Sequence, residues 1–155
     1  MSGFRRFEDI DAWTLGRELT VEIYRVSRDG RFGRDFGLCD QIRRACVSVT
    51  SNIAEGFERR SPRDFARFLL IARGSAGEVR SQLYVALDLG YIDDETFQRL
   101  SHLASRISRA TDALARHLRR SAGETREPDA LYLAPCTAYP GSLLGDATPS
   151  SSQST

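Results

Sequence analysis

The stretch FQRLSHLASRISRATDALARHLRR, Phe97 to Arg120, decides the fold. Within it Phe97, Leu100, Ala104, Ile107, Thr111, Leu114 and Leu118 alternate spacings of three and four without a break. At 3.6 residues per turn such positions share one face, so the segment is a helix with the apolar seam of a bundle. Asp93, Asp94 and Glu95 mark its start, where the positive end of the helix dipole favours carboxylates. Opposite the seam, Arg99, Arg106, Arg109, Arg116 and Arg120 fall within a sector of about 100°. Between Phe97 and Arg120, Asp112 is the single acid against six arginines, which makes this a one-sided cationic helix.

Working outward, the rest of the chain repeats the helical period. Ser61-Pro62-Arg63-Asp64 supplies a capping serine, a proline at the first helical position and an early acid. From there Phe65, Phe68, Leu69, Ala72, Ala76, Val79, Leu83 and Ala86 run to a Gly90 stop, predicting a helix of roughly 42 Å. Before it, Leu38, Ile42, Cys46, Val49, Ile53 and Phe57 form a second stripe. The first stripe, Ala12, Leu15, Gly16, Leu19, Ile23 and Val26, lies within a helix expected over Phe7 to Arg28 and stopped at Asp29-Gly30. A short link, Arg31 to Asp35, joins these two. No period-two run competes with the four helices, so the expected fold is all-α, an antiparallel up-down four-helix bundle over residues 1–120.

Residues 121–155 differ in composition. Seventeen of the 35 are Ser, Thr, Pro or Gly, four of them proline, and a disordered tail is expected. Its apolar content, Leu131-Tyr132-Leu133 and Leu143-Leu144, suits a short docking peptide. The tail also hides a charge asymmetry. All 22 basic residues are arginine and the whole chain carries +1, yet residues 1–120 carry +4 and the tail −3. The absence of lysine extends through every helix and is explained most simply by a GC-rich coding bias, so the placement of the arginines carries the information.

Several function classes drop out. No apolar run approaches the roughly 18–20 residues of a membrane-spanning helix, and no apolar core follows Arg5 and Arg6 as in a signal peptide, so a cytoplasmic location is expected. Cys39 and Cys46 lie on one helix about 10.5 Å apart along its axis, beyond disulfide reach. Neither His102 nor His117 belongs to a Glu-x-x-His pair, so no metal is expected, and no phosphate loop or nucleophile triad implies a cofactor or catalysis.

The middle helices carry a polar side beside the apolar one. Gln41, Arg44, Ser48, Asn52 and Glu55 align on the second helix; Gly74, Glu78 and Gln82 align on the third. They are read as a subunit interface or a buried polar network in which Arg44, Glu55 and Glu78 satisfy one another. A solvated face and an acid/base pair of Glu55 with Glu78 are the competing readings. A second basic cluster, Arg59, Arg60, Arg63 and Arg67, surrounds the turn between these helices. With the helix-four arginines it fits phosphate contacts, the alternative being an acidic protein partner docked on helix four, or simple solvation.

Several blocks resemble one family. These are Asp11-Ala12-Trp13, Phe36-Gly37-Leu38, Gln41-Ile42-Arg43-Arg44-Ala45, Ser51-Asn52-Ile53-Ala54-Glu55-Gly56, Phe68 to Ser75 with Glu78 and Gln82, and Leu89-Gly90-Tyr91-Ile92. Over residues 7–119 they are similar to the four-helix-bundle family of 23S rRNA intervening-sequence proteins. The resemblance implies a small cytosolic bacterial protein assembling as a homopentamer. A related branch is the accessory variability determinant of diversity-generating retroelements, which binds a reverse transcriptase and nucleic acid. The resemblance implies packing or subunit contact for Ser51–Gly56 and for Gly74, Glu78 and Gln82, and no catalytic residue. Thr50 stands where relatives commonly have proline, and the tail has no family counterpart. The expectation is a non-enzymatic, homo-oligomeric bundle whose exterior arginines bind RNA or DNA.

Overall fold

The computed structural model describes residues 3–123. A 3-10 turn, Phe7–Asp9, leads into five helices: α1 (Asp11–Val26), α2 (Gly30–Arg34), α3 (Phe36–Glu58), α4 (Pro62–Asp88) and α5 (Asp94–Ser121). There is no strand among the described residues. The four long helices form the expected bundle, with α1 packed on α3 and α5, and α4 packed on the same two. Contacts such as Arg99 with Glu22 and Arg73 with Asp112 pair the earlier half of one helix with the later half of another, the signature of antiparallel neighbours. The expected tail falls, from residue 124 onward, outside the described residues.

Side-chain caps start three of the helices. The Asp35 carboxylate accepts from the Leu38 amide at 3.0 Å, Ser61 Oγ from the Asp64 amide at 3.3 Å and the Asp93 carboxylate from the Thr96 amide at 2.8 Å. Each satisfies a donor that the helix cannot pair internally. Hydrogen bonds from Thr96 hold the Asp93 carboxyl below its ordinary value.

The link between the first two stripes is itself a single helical turn, α2, too short for periodicity to reveal. Phe32 anchors it, buried and stacked on Tyr91 with ring centroids 5.4 Å apart. Tyr91 Oη donates to Asp35 at 3.2 Å, so this turn and the α4–α5 connection close one end of the bundle together. Gly33 is required there, because a Cβ would sit 2.6 Å from the Arg28 carbonyl oxygen.

The core runs the length of the seam: Leu19, Ile23, Ile42, Val49, Ile53, Leu69, Val79, Leu83, Leu100 and Ile107 are fully buried. Both helical cysteines are buried free thiols. Burial pushes the Cys46 thiol up to about 12, and Cys39 Sγ donates to the Phe32 carbonyl at 3.0 Å. Close approach is set by glycine at Gly56, whose missing Cβ would lie 2.5 Å from Phe68 Cβ.

Candidate nucleic-acid interface

The apolar seam of α5 is buried, so its opposite side faces solvent, and the five arginines expected there divide into two groups. Arg99 reaches across to α1, where its Nη1 lies 2.7 Å from Glu22 Oε2. Arg116 Nη1 lies 2.7 Å from Asp112 Oδ2, and the other oxygen of Asp112 accepts from Arg73 of α4 at 2.8 Å. These guanidinium groups knit helices together. Arg106, Arg109 and Arg120 are exposed and have no ion-pair partner among the described residues. Arg106 and Arg109 border a shallow groove between α5 and α1, with Asp11, Thr14, Leu15 and Ala110. A phosphate meets these three at no cost of breaking an internal pair.

The second cluster is more tied to the fold than its spacing suggests. Arg59 Nη2 lies 2.6 Å from Glu55 Oε1. Its guanidinium and that of Arg67 each lie 5.4 Å from the Phe68 ring, in cation–π range. Arg60 occupies the α3–α4 turn with φ 54, a left-handed conformation, and is exposed. Arg63 and Arg67 border a second groove together with Asp64 and Arg119. Arg119, which helical spacing leaves outside the arginine sector, thereby connects the α5 face to the turn.

Antiparallel packing gathers these groups at one end of the bundle. Segments 3–11, 55–67 and 113–123 meet there and hold nine arginines against six acids, whereas segments 22–40 and 88–99 at the other end hold five against eight. The bundle is therefore polarised along its axis. By spacing alone the two basic clusters are separate, and the signal that joins them is topological: the ends of α3 and α5 lie beside the starts of α1 and α4.

The polar side of α3 and α4 needs correction. Arg44, Glu55 and Glu78 do not satisfy one another within the chain. Arg44 pairs with Asp40 at 2.8 Å, Glu55 with Arg59, and Glu78 accepts from Gln82 at 3.2 Å. In each case a same-helix residue four positions away is nearer than the facing helix, the usual outcome on a helix flank. Gln41, Arg44, Glu55, Gly74 and Glu78 are exposed. What crosses between the helices is smaller: the Ser48 and Ser75 hydroxyls meet at 2.9 Å, while Asn52 Nδ2 stays within α3 and donates to the Ser48 carbonyl at 2.7 Å. Of the row, only Gln82 is buried, at 8% exposure. Gly74 and Gly77 sit in mid-helix, and a Cβ added at either would meet nothing within 4 Å.

Glu55 and Glu78 are thus separate surface carboxylates. His102 and His117 are exposed. No group of three metal-ligating side chains occurs among the described residues, and no described helix is long and apolar enough to cross a membrane.

Comparison with known proteins agrees with this architecture. A solved structure from Bacteroides thetaiotaomicron, a protein of unknown function from the S23 ribosomal protein family, superposes with a TM-score of 0.61 at 23% identity, covering 67% of this chain and 97% of that one. At that identity the likeness concerns the fold. No curated protein matches the sequence. The family model of the 23S rRNA-intervening sequence protein matches residues 8–113, most of the helical bundle, and the chain belongs to that family.

Proposed function

We propose that the protein is a non-enzymatic nucleic-acid-binding accessory whose contact surface is the outer face of α5 and the adjoining basic end. The observation that carries this reading is the set of arginines without an ion-pair partner among the described residues, Arg106, Arg109 and Arg120 along one side of α5 and Arg119 beside them at the basic end. Guanidinium groups displace condensed counterions when they meet phosphates, which gives affinity without sequence preference. No aromatic side chain lies among these arginines on the outer face of α5, which argues for backbone rather than base contact. The family's name, tied to 23S rRNA, makes RNA the first probe, with single-stranded DNA beside it.

Self-association belongs to the same proposal, with a homopentamer as the assembly and a cytoplasmic location. The α3–α4 face supports it: Ile71 and Val85, each 45% exposed, share the outer side of α4 with Gly74, so apolar and small residues interrupt its polar row. A reverse transcriptase is the proposed protein partner in such a complex.

The test is the affinity of the full chain for an RNA oligonucleotide and for single-stranded DNA, measured over a salt series. Four phosphate contacts predict a slope of log K against log salt of about −3 per chain. Failure to bind either strand at low salt refutes the reading, and capture of an acidic protein by α5 in its place establishes the scaffold alternative.

A further inference from the structure

At the basic end a cavity of about 440 Å³ opens between the N-terminal segment, the α3–α4 turn and the last turns of α5. That lies within the roughly 300–1,000 Å³ of sites that hold ligands. Its walls include Phe4, Phe57, Pro62, Phe65 and Leu118, and Arg5 and Arg60 stand at its rim. Neither rim arginine has an ion-pair partner among the described residues. Glu8 and Glu58 also line it and Arg6 is held by Asp9, so the cavity combines an apolar floor with a rim of both charges, which suits an extended peptide bearing a few large apolar side chains among charged ones.

We infer that this cavity is the docking site of the chain's own segment around Leu131-Tyr132-Leu133. Three observations choose this occupant over others. First, the chain leaves α5 at the cavity itself: Leu118 is a wall residue, the Ala122 amide donates to the Leu118 carbonyl at 3.0 Å, and Gly123 at φ 79 turns the backbone out of the helix direction. Second, the reach suffices. Eight residues from Gly123 to Leu131 span up to about 26 Å, whereas Leu118 lies about 4.5 Å of helical rise before Ser121. Third, the charges match. Glu124, Glu127 and Asp129 precede the apolar triplet and complement Arg5, Arg60 and the neighbouring Arg119 and Arg120, while Arg126 among them complements Glu8 and Glu58 of the lining. Leu143-Leu144 is the weaker candidate, since the pair itself has no aromatic residue and Asp146 is the single acid near it.

Tethering makes the contact effective even when it is weak, because a short linker sets a local concentration in the millimolar range. Docking of this segment goes beyond nucleic-acid binding by α5 and does not depend on it.

The full-length protein provides its own probe. Cys136 lies three residues past Leu133, while Cys39 and Cys46 are buried, so a thiol-specific nitroxide attaches at Cys136. Docking predicts that the label broadens the amide signals of Phe4–Glu8 and Phe57–Ser61 several-fold. The Leu131→Ser, Tyr132→Ser, Leu133→Ser triple variant, altered outside the bundle, restores them. Equal broadening in both proteins overturns the inference. So does broadening that persists when labelled chains are mixed with an equal amount of isotope-enriched, label-free chains, since it assigns the cavity to a neighbour's tail.

Discussion

The outer face of α5 and the outer face shared by α3 and α4 are both polar and both periodic, yet they treat charge in opposite ways. On α3, Arg44 and Glu55 find partners four residues away in Asp40 and Arg59. Along α5, Asp112 serves Arg116 and Arg73, Glu22 of α1 takes Arg99, and no carboxylate pairs with Arg106, Arg109, Arg119 or Arg120 among the described residues. Glu78 apart, whose partner is the neutral Gln82, the first face pairs its charges within a helical turn. The second holds charge that an external anion can use. Net charge and helical periodicity do not separate the two cases; the order of acids and bases within each turn does.

The most forceful way to break this contrast is charge reversal. Arg106→Glu with Arg109→Glu is expected to weaken RNA binding roughly 100-fold at low salt and flatten the salt slope, while Arg44→Glu changes affinity less than about twofold. Equal losses in the two proteins erase the distinction between the faces. A second contrast sets the inner side of α3–α4 against its outer side. Gly56→Ala forces a methyl group onto Phe68 and is expected to cost about 1–3 kcal/mol, read by urea denaturation. Gly74→Ala and Gly77→Ala meet open space within the chain, so each is expected to stabilise the monomer by about 0.5–1 kcal/mol. If that face packs against a second copy, light scattering detects loss of assembly in the same two variants. Unchanged assembly moves the subunit contact elsewhere.

The smallest effect concerns the helix starts. Because the Asp93 carboxyl is held low in the folded protein by Thr96, its contribution is present above the ordinary aspartate range and is lost as pH falls through the lowered folded value. The N-terminus of α5 is then expected to lose amide protection in acid earlier than that of α4, whose cap, Ser61, does not titrate. Asp93→Asn removes the difference, and hydrogen exchange at Thr96 and Asp64 measures it.

The long helices were legible because their burial is periodic: Phe97 to Leu118 and Phe65 to Ala86 could be read as seams, and Ser61, Asp93 and the Gly90 stop as their boundaries. One turn, α2, was not, since its stability comes from Phe32 stacking on Tyr91, a residue 59 positions away, and no local pattern encodes that. The expected exchange among Arg44, Glu55 and Glu78 failed for the complementary reason: spacing placed them on one flank, but Asp40, Arg59 and Gln82 are nearer partners in the same helices. Likewise Arg99 and Arg116 belong to the predicted arginine sector, but their availability depends on Glu22 and Asp112, and Glu22 comes from another helix. Residue type and period locate a side chain on a face, whereas its electrostatic freedom depends on neighbours that the topology supplies.

Everything proposed for function turns on the unpartnered arginines of α5 being the nucleic-acid contact. Amide shift mapping of the full chain during titration with an RNA oligonucleotide addresses this most directly. The predicted result is that the largest perturbations cluster at Arg106, Arg109, Arg119 and Arg120 and disappear as salt is raised. Perturbations centred instead on Gln41–Glu55 and Gly74–Gln82, or none at low salt, would contradict it.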